Sequence, residues 1–176
     1  MPVRPIVLYP DPVLLAPTRT VERIDEDVRT LVRDMLETMH AAPGIGLAAN
    51  QIGVPLRVAV VDLSVGERPE DLKVLVNPTI LDQEGRQTDE EGCLSFPDIT
   101  LEVERAFRIS VDHVDLDGNR QVLTADDLLA RAIQHEIEHL DGQTFLRNVS
   151  SLKRELVKRS IRKRMKTGDW VATAAK

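Results

Sequence analysis

The chain has 176 residues, 42% apolar and 30% charged, with 23 basic and 29 acidic side chains, four histidines and one cysteine. That length predicts one domain spanning residues 1–176. A net charge of −6 argues against a surface that coats nucleic acid throughout, and a single cysteine excludes an internal disulfide framework. No stretch reaches the roughly 20 apolar residues of a membrane span. Met1 to Tyr9, with its two prolines, lacks the apolar run of a signal peptide, so a cytoplasmic protein without a membrane partner is expected.

The first periodic segment follows Asp25, a capping residue. Val28, Leu31, Val32, Met35, Leu36 and Met39 then fall on one helical stripe, which Ala42-Pro43-Gly44 ends. A glycine-rich loop, Gly44 to Gly53, comes next. From Leu56 to Val114 the pattern changes to short β-branched runs: Val58 to Val61, Val74 to Val76 before Asn77-Pro78, and Arg108 to Val114. Asp117-Gly118-Asn119 lies between the runs Ile109 to Leu116 and Gln121 to Leu123, which predicts a hairpin.

Thr124 stands three residues before Asp127, as a capping hydroxyl would, and Gly142 stands where a C′ glycine would. A helix over about 125 to 141 is predicted between them. Asn148 to Lys166 spaces Val149, Leu152, Leu156, Ile161 and Met165 for a last helix. The order predicts an α+β fold: a strand-rich central section around a metal-binding helix, with an N-terminal helix and a C-terminal helix. No repeat, low-complexity tract or interdomain linker interrupts it.

The chemistry centres on Gln134-His135-Glu136-Ile137-Glu138-His139-Leu140, which contains His-Glu-x-x-His. Histidines four apart share one helical face and reach one ion, and the glutamate between them reaches a water on that ion. A helix whose polar residues simply face solvent fits the bare pattern equally well. Catalytic sites of this kind take a third protein ligand. Cys93, in Glu91-Gly92-Cys93-Leu94-Ser95, is a candidate for it, and a small buried hydrophobe is the alternative. Gly44-Ile45-Gly46-Leu47-Ala48-Ala49-Asn50-Gln51 follows a helix and lacks the Lys-Ser/Thr of a phosphate loop. It reads either as small-residue packing or as the wall of a peptide cleft with Gln51 as a neutral donor to a developing oxyanion.

The three motifs, in this order and spacing, resemble the peptide deformylase family, and with the flanking helices the resemblance covers essentially the whole chain. It implies metal-dependent hydrolysis of the N-formyl group from the N-terminal formyl-methionine of newly synthesised polypeptides, releasing formate. It implies one divalent metal, physiologically Fe2+, held by Cys93, His135 and His139, with Zn2+, Ni2+ or Co2+ compatible with the same donors. Glu136 is carried over as acid/base, Gln51 and the Leu94 backbone N–H as oxyanion donors, and Ile45, Gly46 and Gly92 as backbone positions along the substrate. The resemblance also implies an acidic residue at Glu91 and a basic one at Arg105, either an ion pair that braces the segment bearing Cys93 or two solvated charges, the commoner outcome for exposed pairs. Glu138 departs from the family's usual aspartate, so a changed support for the metal ligands is expected there. His40 and His113 lack ligand spacing and are expected to be structural or solvated.

Residues 147–166 hold nine basic side chains and one acid, a net +8, which leaves 14 basic against 28 acidic residues, or −14, elsewhere. A basic helix without interleaved aromatics suits a phosphate backbone, and the resemblance implies the ribosome as a partner. A solvated helix face accounts for the same charges. Two other functions fit parts of the sequence. An endopeptidase would use the same motif with a third ligand after His139, and a metal-stabilised binding module would have lost turnover.

Overall fold

The computed structural model describes residues 2–173; Met1 and residues 174–176, the two ends of the expected domain, lie outside the described residues. Helix α1 spans Glu26–Ala41 and opens at Asp25, whose carboxylate accepts the Val28 N–H at 3.0 Å. Its predicted stripe is its buried face: Val28, Leu31, Val32, Met35 and Met39 are buried, and Leu36 is half-buried. Each such side chain contributes about 1.5–3 kcal/mol of burial.

The strands are β1 (Gly46–Ala48), β2 (Val58–Val61), β3 (Lys73–Glu84), β4 (Gln87–Cys93), β5 (Phe96–Arg105), β6 (Arg108–Val114) and β7 (Arg120–Asp126). Five form an antiparallel sheet in the order β1-β2-β3-β6-β7, and β4 pairs with β5 in a separate hairpin. Helix α2 is Asp127–Leu140 and helix α3 is Ser151–Thr167. β2 is buried along its whole length because both faces are covered. Val58 and Val60 cluster with α1, while Val61 clusters with Ile133 and Ile137 of α2. This is the α+β arrangement expected, with helices flanking a strand-rich core.

Several boundaries differ from expectation. The Gly44 to Gly53 loop contains β1 and a 3-10 turn, Ala49–Ile52, because its small residues pair with β2. β3 does not stop at Asn77-Pro78. Asn77 adopts φ +52°, the register shifts there, and its side chain bonds both the N–H and the C=O of Val21, so the strand bends and continues. The hairpin turn is as predicted, with Asp115 accepting the N–H groups of Asp117 and Asn119, but β7 runs on through Thr124. Thr124 therefore caps nothing, and Asp126, at the start of α2, is paired with Arg108 instead. Gly142 does end α2, at φ +74°; a Cβ there would lie 2.6 Å from the Ala16 carbonyl carbon.

The β4–β5 hairpin was not legible as strands. Four consecutive polar residues, Thr88 to Glu91, mask its alternation. In α3 the buried residues are Val157 and Ile161, whereas Leu152 is 71% and Leu156 52% exposed. Of the expected stripe, Ile161 is buried and Val149 packs beside it, while Leu152 and Leu156 are corrected: α3 rests on Phe96 and Phe145 through Val157 and Ile161. No described helix is long and apolar enough to cross a membrane.

Candidate active site and metal centre

α2 carries His135 and His139 one turn apart, with Nε2 atoms 3.2 Å from each other. Cys93, at the end of β4, brings its Sγ to 3.2 Å from His139 Nε2. The three ligand atoms lie within 4.8 Å of one another, the one such group among the described residues. A tetrahedral ion with bonds of about 2.3 Å to sulfur and 2.0–2.1 Å to nitrogen separates such donors by roughly 3.3–3.6 Å. Two of the three pairs therefore stand within a few tenths of an ångström of that spacing and the third lies within 4.8 Å, a donor set that fits one metal. Burial, and then the neighbouring His135, push the His139 pKa well below its ordinary value, whereas at His135 burial is outweighed by the contacts with Cys93 and Glu91, which raise its pKa, so a bound ion would have to displace the His135 proton.

Glu91 sets the first histidine. Its Oε1 accepts from His135 Nδ1 at 2.8 Å, which leaves Nε2 of that ring facing Cys93 and His139. Arg105 donates to Glu91 through Nε at 2.6 Å and Nη2 at 2.8 Å, and Arg131 adds a third guanidinium contact. The expected partners Glu91 and Arg105 thus form a buried bidentate pair. Glu138 lies behind them, 2.5 Å from Arg105 Nη1, and accepts from Asn148 Nδ2 at 2.9 Å. The Glu138 side chain thus connects to the candidate metal ligand His135 by way of Arg105 and Glu91.

Glu136 points the other way. Its side chain is buried against β1: a Cβ on Gly46 would stand 2.5 Å from Glu136 Oε1, so only glycine admits the carboxylate. Burial raises the Glu136 pKa to about 7, and its Oε2 has no hydrogen-bond partner among the described residues. Gln51, in the 3-10 turn, accepts the Ala48 N–H at 2.9 Å through its Oε1. Its Nε2 consequently faces Ser95 Oγ at 3.1 Å and Cys93 Sγ at 3.7 Å.

Ile45, Gly46, Gln51, Gly92 and Leu94 line one cleft of about 680 Å3 with Cys93, His135 and Glu136. Arg105, Glu138 and His139 stand behind that wall. Three contributors had no sequence reading. Asn50 donates to the His139 carbonyl at 2.6 Å, Ser95 orients Gln51, and Arg131 lies one turn before His135 on the same face. Only Arg131 carried a signal, an unpaired-looking arginine at i−4 from a ligand in an otherwise apolar run. His40 contacts Asp62 at 3.0 Å, and His113 Nδ1 is buried without a partner among the described residues; neither joins the cleft.

An α+β fold whose central helix presents His-Glu-x-x-His beside a cysteine thiol defines a hydrolase with a candidate metal centre. Residues 3–155 match the family model of polypeptide deformylase. A peptide deformylase of Acidobacterium capsulatum is 52% identical over 97% of this chain and all of its own length. A crystal structure of a peptide deformylase from Legionella pneumophila superposes with a TM-score of 0.87 at 39% identity, over 95% of this chain and 98% of that one. A peptide deformylase from Ehrlichia chaffeensis in complex with actinonin gives 0.85 at 38%, over 93% and 98%. The chain belongs to the polypeptide deformylase family, whose members remove the formyl group from nascent chains.

Proposed function

We propose that the chain hydrolyses the N-formyl group of N-terminal formyl-methionine on newly synthesised polypeptides, releasing formate and a free α-amine. The observation that carries this is the convergence of Cys93, His135 and His139 with Glu136 and the Gln51 amide at one cleft. In the reaction water adds to the formyl carbon, the C–N bond breaks, and the proton given up by water ends on the amine nitrogen.

Cys93, His135 and His139 would hold one divalent metal, which when bound supplies Lewis-acid chemistry that makes water reactive near neutral pH. We take Fe2+ as the physiological ion; Zn2+, Ni2+ and Co2+ suit the same donors. Glu136, with its pKa raised to about 7 by burial, accepts the proton from water and returns it to the leaving nitrogen. The Gln51 amide and the Leu94 backbone N–H donate to the oxygen as it becomes negative. Ile45, Gly46 and Gly92 border the peptide. A Cβ at Gly92 would meet nothing within 4 Å, so that position leaves open room in the cleft. Ile45, Leu128 and Ala132 give the cleft an apolar side suited to an unbranched thioether. Glu91, Arg105 and Glu138 act as structural support.

We take residues 1–176 to work as one unit in the cytoplasm, with residues 147–166 docking on the ribosome. Lys153, Arg159, Arg162, Lys163 and Lys166 are exposed on α3, which supports a phosphate-binding face. Co-sedimentation with ribosomes that ignores salt, or survives deletion after Val149, would count against this partner.

Formate release from formyl-Met-Ala-Ser by anaerobically prepared protein tests the reaction. Formate release that actinonin blocks, as its presence in the Ehrlichia enzyme suggests, is the expected result. Cleavage at internal bonds would make the chain an endopeptidase, and no release at all would make it a binding module.

A further inference from the structure

Thr173 lines the same cleft as Cys93, His135 and Glu136, although it belongs to the segment that follows α3. The chain is turned towards the cleft by Gly168, at φ +79°, after which Asp169 and Trp170 donate their N–H groups to the Arg164 carbonyl at 2.9 and 3.3 Å.

Trp170 then anchors the segment. Its Nε1 donates to the Tyr9 carbonyl at 2.7 Å, its ring meets Phe96 edge-on at 6.5 Å between centroids, and the Arg164 guanidinium lies 4.9 Å from the ring. Arg164 also donates to the Pro97 carbonyl at 2.9 Å and to Asp98 Oδ2 at 3.1 Å. Phe96, Pro97 and Asp98 are cleft residues. The end of α3, the tail and the start of β5 are therefore one locked unit whose inner side is cleft wall. A terminal segment is ordered only when something ties it down, and here the chain's single tryptophan does so.

The cleft has a closed end and an open end. His135 and Glu136 are buried, while Thr173 is exposed and the Asp98 side chain is 79% exposed. The cleft opens among Pro43, Glu90, Asp98, Leu128 and Thr173, all exposed, so Thr173 is one part of the rim that a peptide with its formyl group at Glu136 passes. We propose that Val171–Thr173, through Thr173, is a specificity element that borders the substrate peptide beyond its methionine and holds the second and later residues. This rests on the deformylase reading of the same cleft.

Two variants test it: a chain ending at Trp170, which keeps the anchor and removes residues 171–176, and Trp170→Ala, which releases the anchor. For the minimal substrate formyl-Met-Ala, kcat/KM stays within about twofold of the full chain. For formyl-Met-Ala-Ser-Ala-Ser it falls about fivefold, through KM rather than kcat, as expected for losing a few tens of Å2 of contact. A merely structural role would lower both substrates together. An unchanged ratio of long to short substrate in the truncated chain overturns the proposal, as does a gain on the longer peptide, which would make the tail an obstruction. No formate from either substrate with the full chain overturns the deformylase reading instead.

Discussion

Glu91 is gripped by Arg105 through two parallel hydrogen bonds, Nε to Oε2 at 2.6 Å and Nη2 to Oε1 at 2.8 Å, while Oε1 also meets His135 Nδ1. One buried carboxylate therefore serves both the packing of two strands and the aim of a candidate metal ligand. Glu91→Gln leaves Arg105 and Arg131 without their common counter-charge. The expected loss is about 3–5 kcal/mol of stability, with metal affinity down roughly 10- to 100-fold. Urea unfolding and a competitive metal titration measure the two effects, and a variant that keeps both values removes Glu91 from the centre of the network.

The same carboxylate sets an acid limit. Burial alone would raise its pKa, but the hydrogen bonds and charges of Arg105 and His135 hold it at about 2, below the ordinary 4.5. A folded-state value below the unfolded one stabilises above pH 4.5 and is lost as pH falls from 4.5 towards 2. The contribution is about 3 kcal/mol. Unfolding free energies measured across that window should decline in the native chain and stay flatter in Glu91→Gln.

Gly46→Ala drives a methyl into the Glu136 carboxylate, 2.5 Å from Oε1. A catalytic group displaced by about 1 Å loses on the order of 100-fold in rate. Metal content should be unaffected, because the added methyl meets Glu136 before any of the three donors. Equal turnover in this variant would show that the carboxylate has room to spare.

Gln51→Ala deletes the amide that Ala48 and Ser95 hold in the cleft. Loss of one oxyanion donor costs on the order of 10²–10³ in kcat, with KM and bound metal nearly unchanged. Steady-state kinetics with parallel metal analysis separates this from general damage to the site.

Burial raises Glu136 to about 7, and above that value it is ionised and able to accept a proton. Activity should therefore rise with pH along a limb centred at or below about 7, since a cation beside the carboxylate favours its charged form. Glu136→Gln should abolish turnover while retaining metal. A native rate that does not fall anywhere on the acid side of about 7, down to the pH at which the protein unfolds, would remove Glu136 as the base.

Chemistry was more legible in the sequence than architecture. The stripe of α1 and the run Val58–Val61 were readable because their apolar periodicity is what buries them. His135 and His139 were readable because helical spacing alone brings them together. Cys93 was a candidate only by type; its place beside them depends on the β4–β5 hairpin, whose strand character is hidden under Asp89, Glu90 and Glu91. Asn50 and Ser95 gave no signal, because a polar residue that braces a carbonyl or an amide across the fold looks like any loop residue. In α3 the pattern was right for Ile161 and misled at Leu152 and Leu156, which share its helical spacing but face solvent; the aromatic cluster at Phe96 and Phe145 takes Val157 in their place.

Cys93 is the chain's only cysteine, half-buried at a cleft open to solvent. A peroxide that reaches it converts the thiolate to a sulfenate, and no neighbouring thiol exists to displace the oxygen as a disulfide. Recovery then depends on a thiol from outside the chain, and further oxidation to the sulfinate is permanent. A redox-inert ion such as Zn2+ held by the three donors would shield the sulfur from this oxidation, whereas Fe2+, itself oxidised in air, would not, so survival in air should depend on which ion is bound.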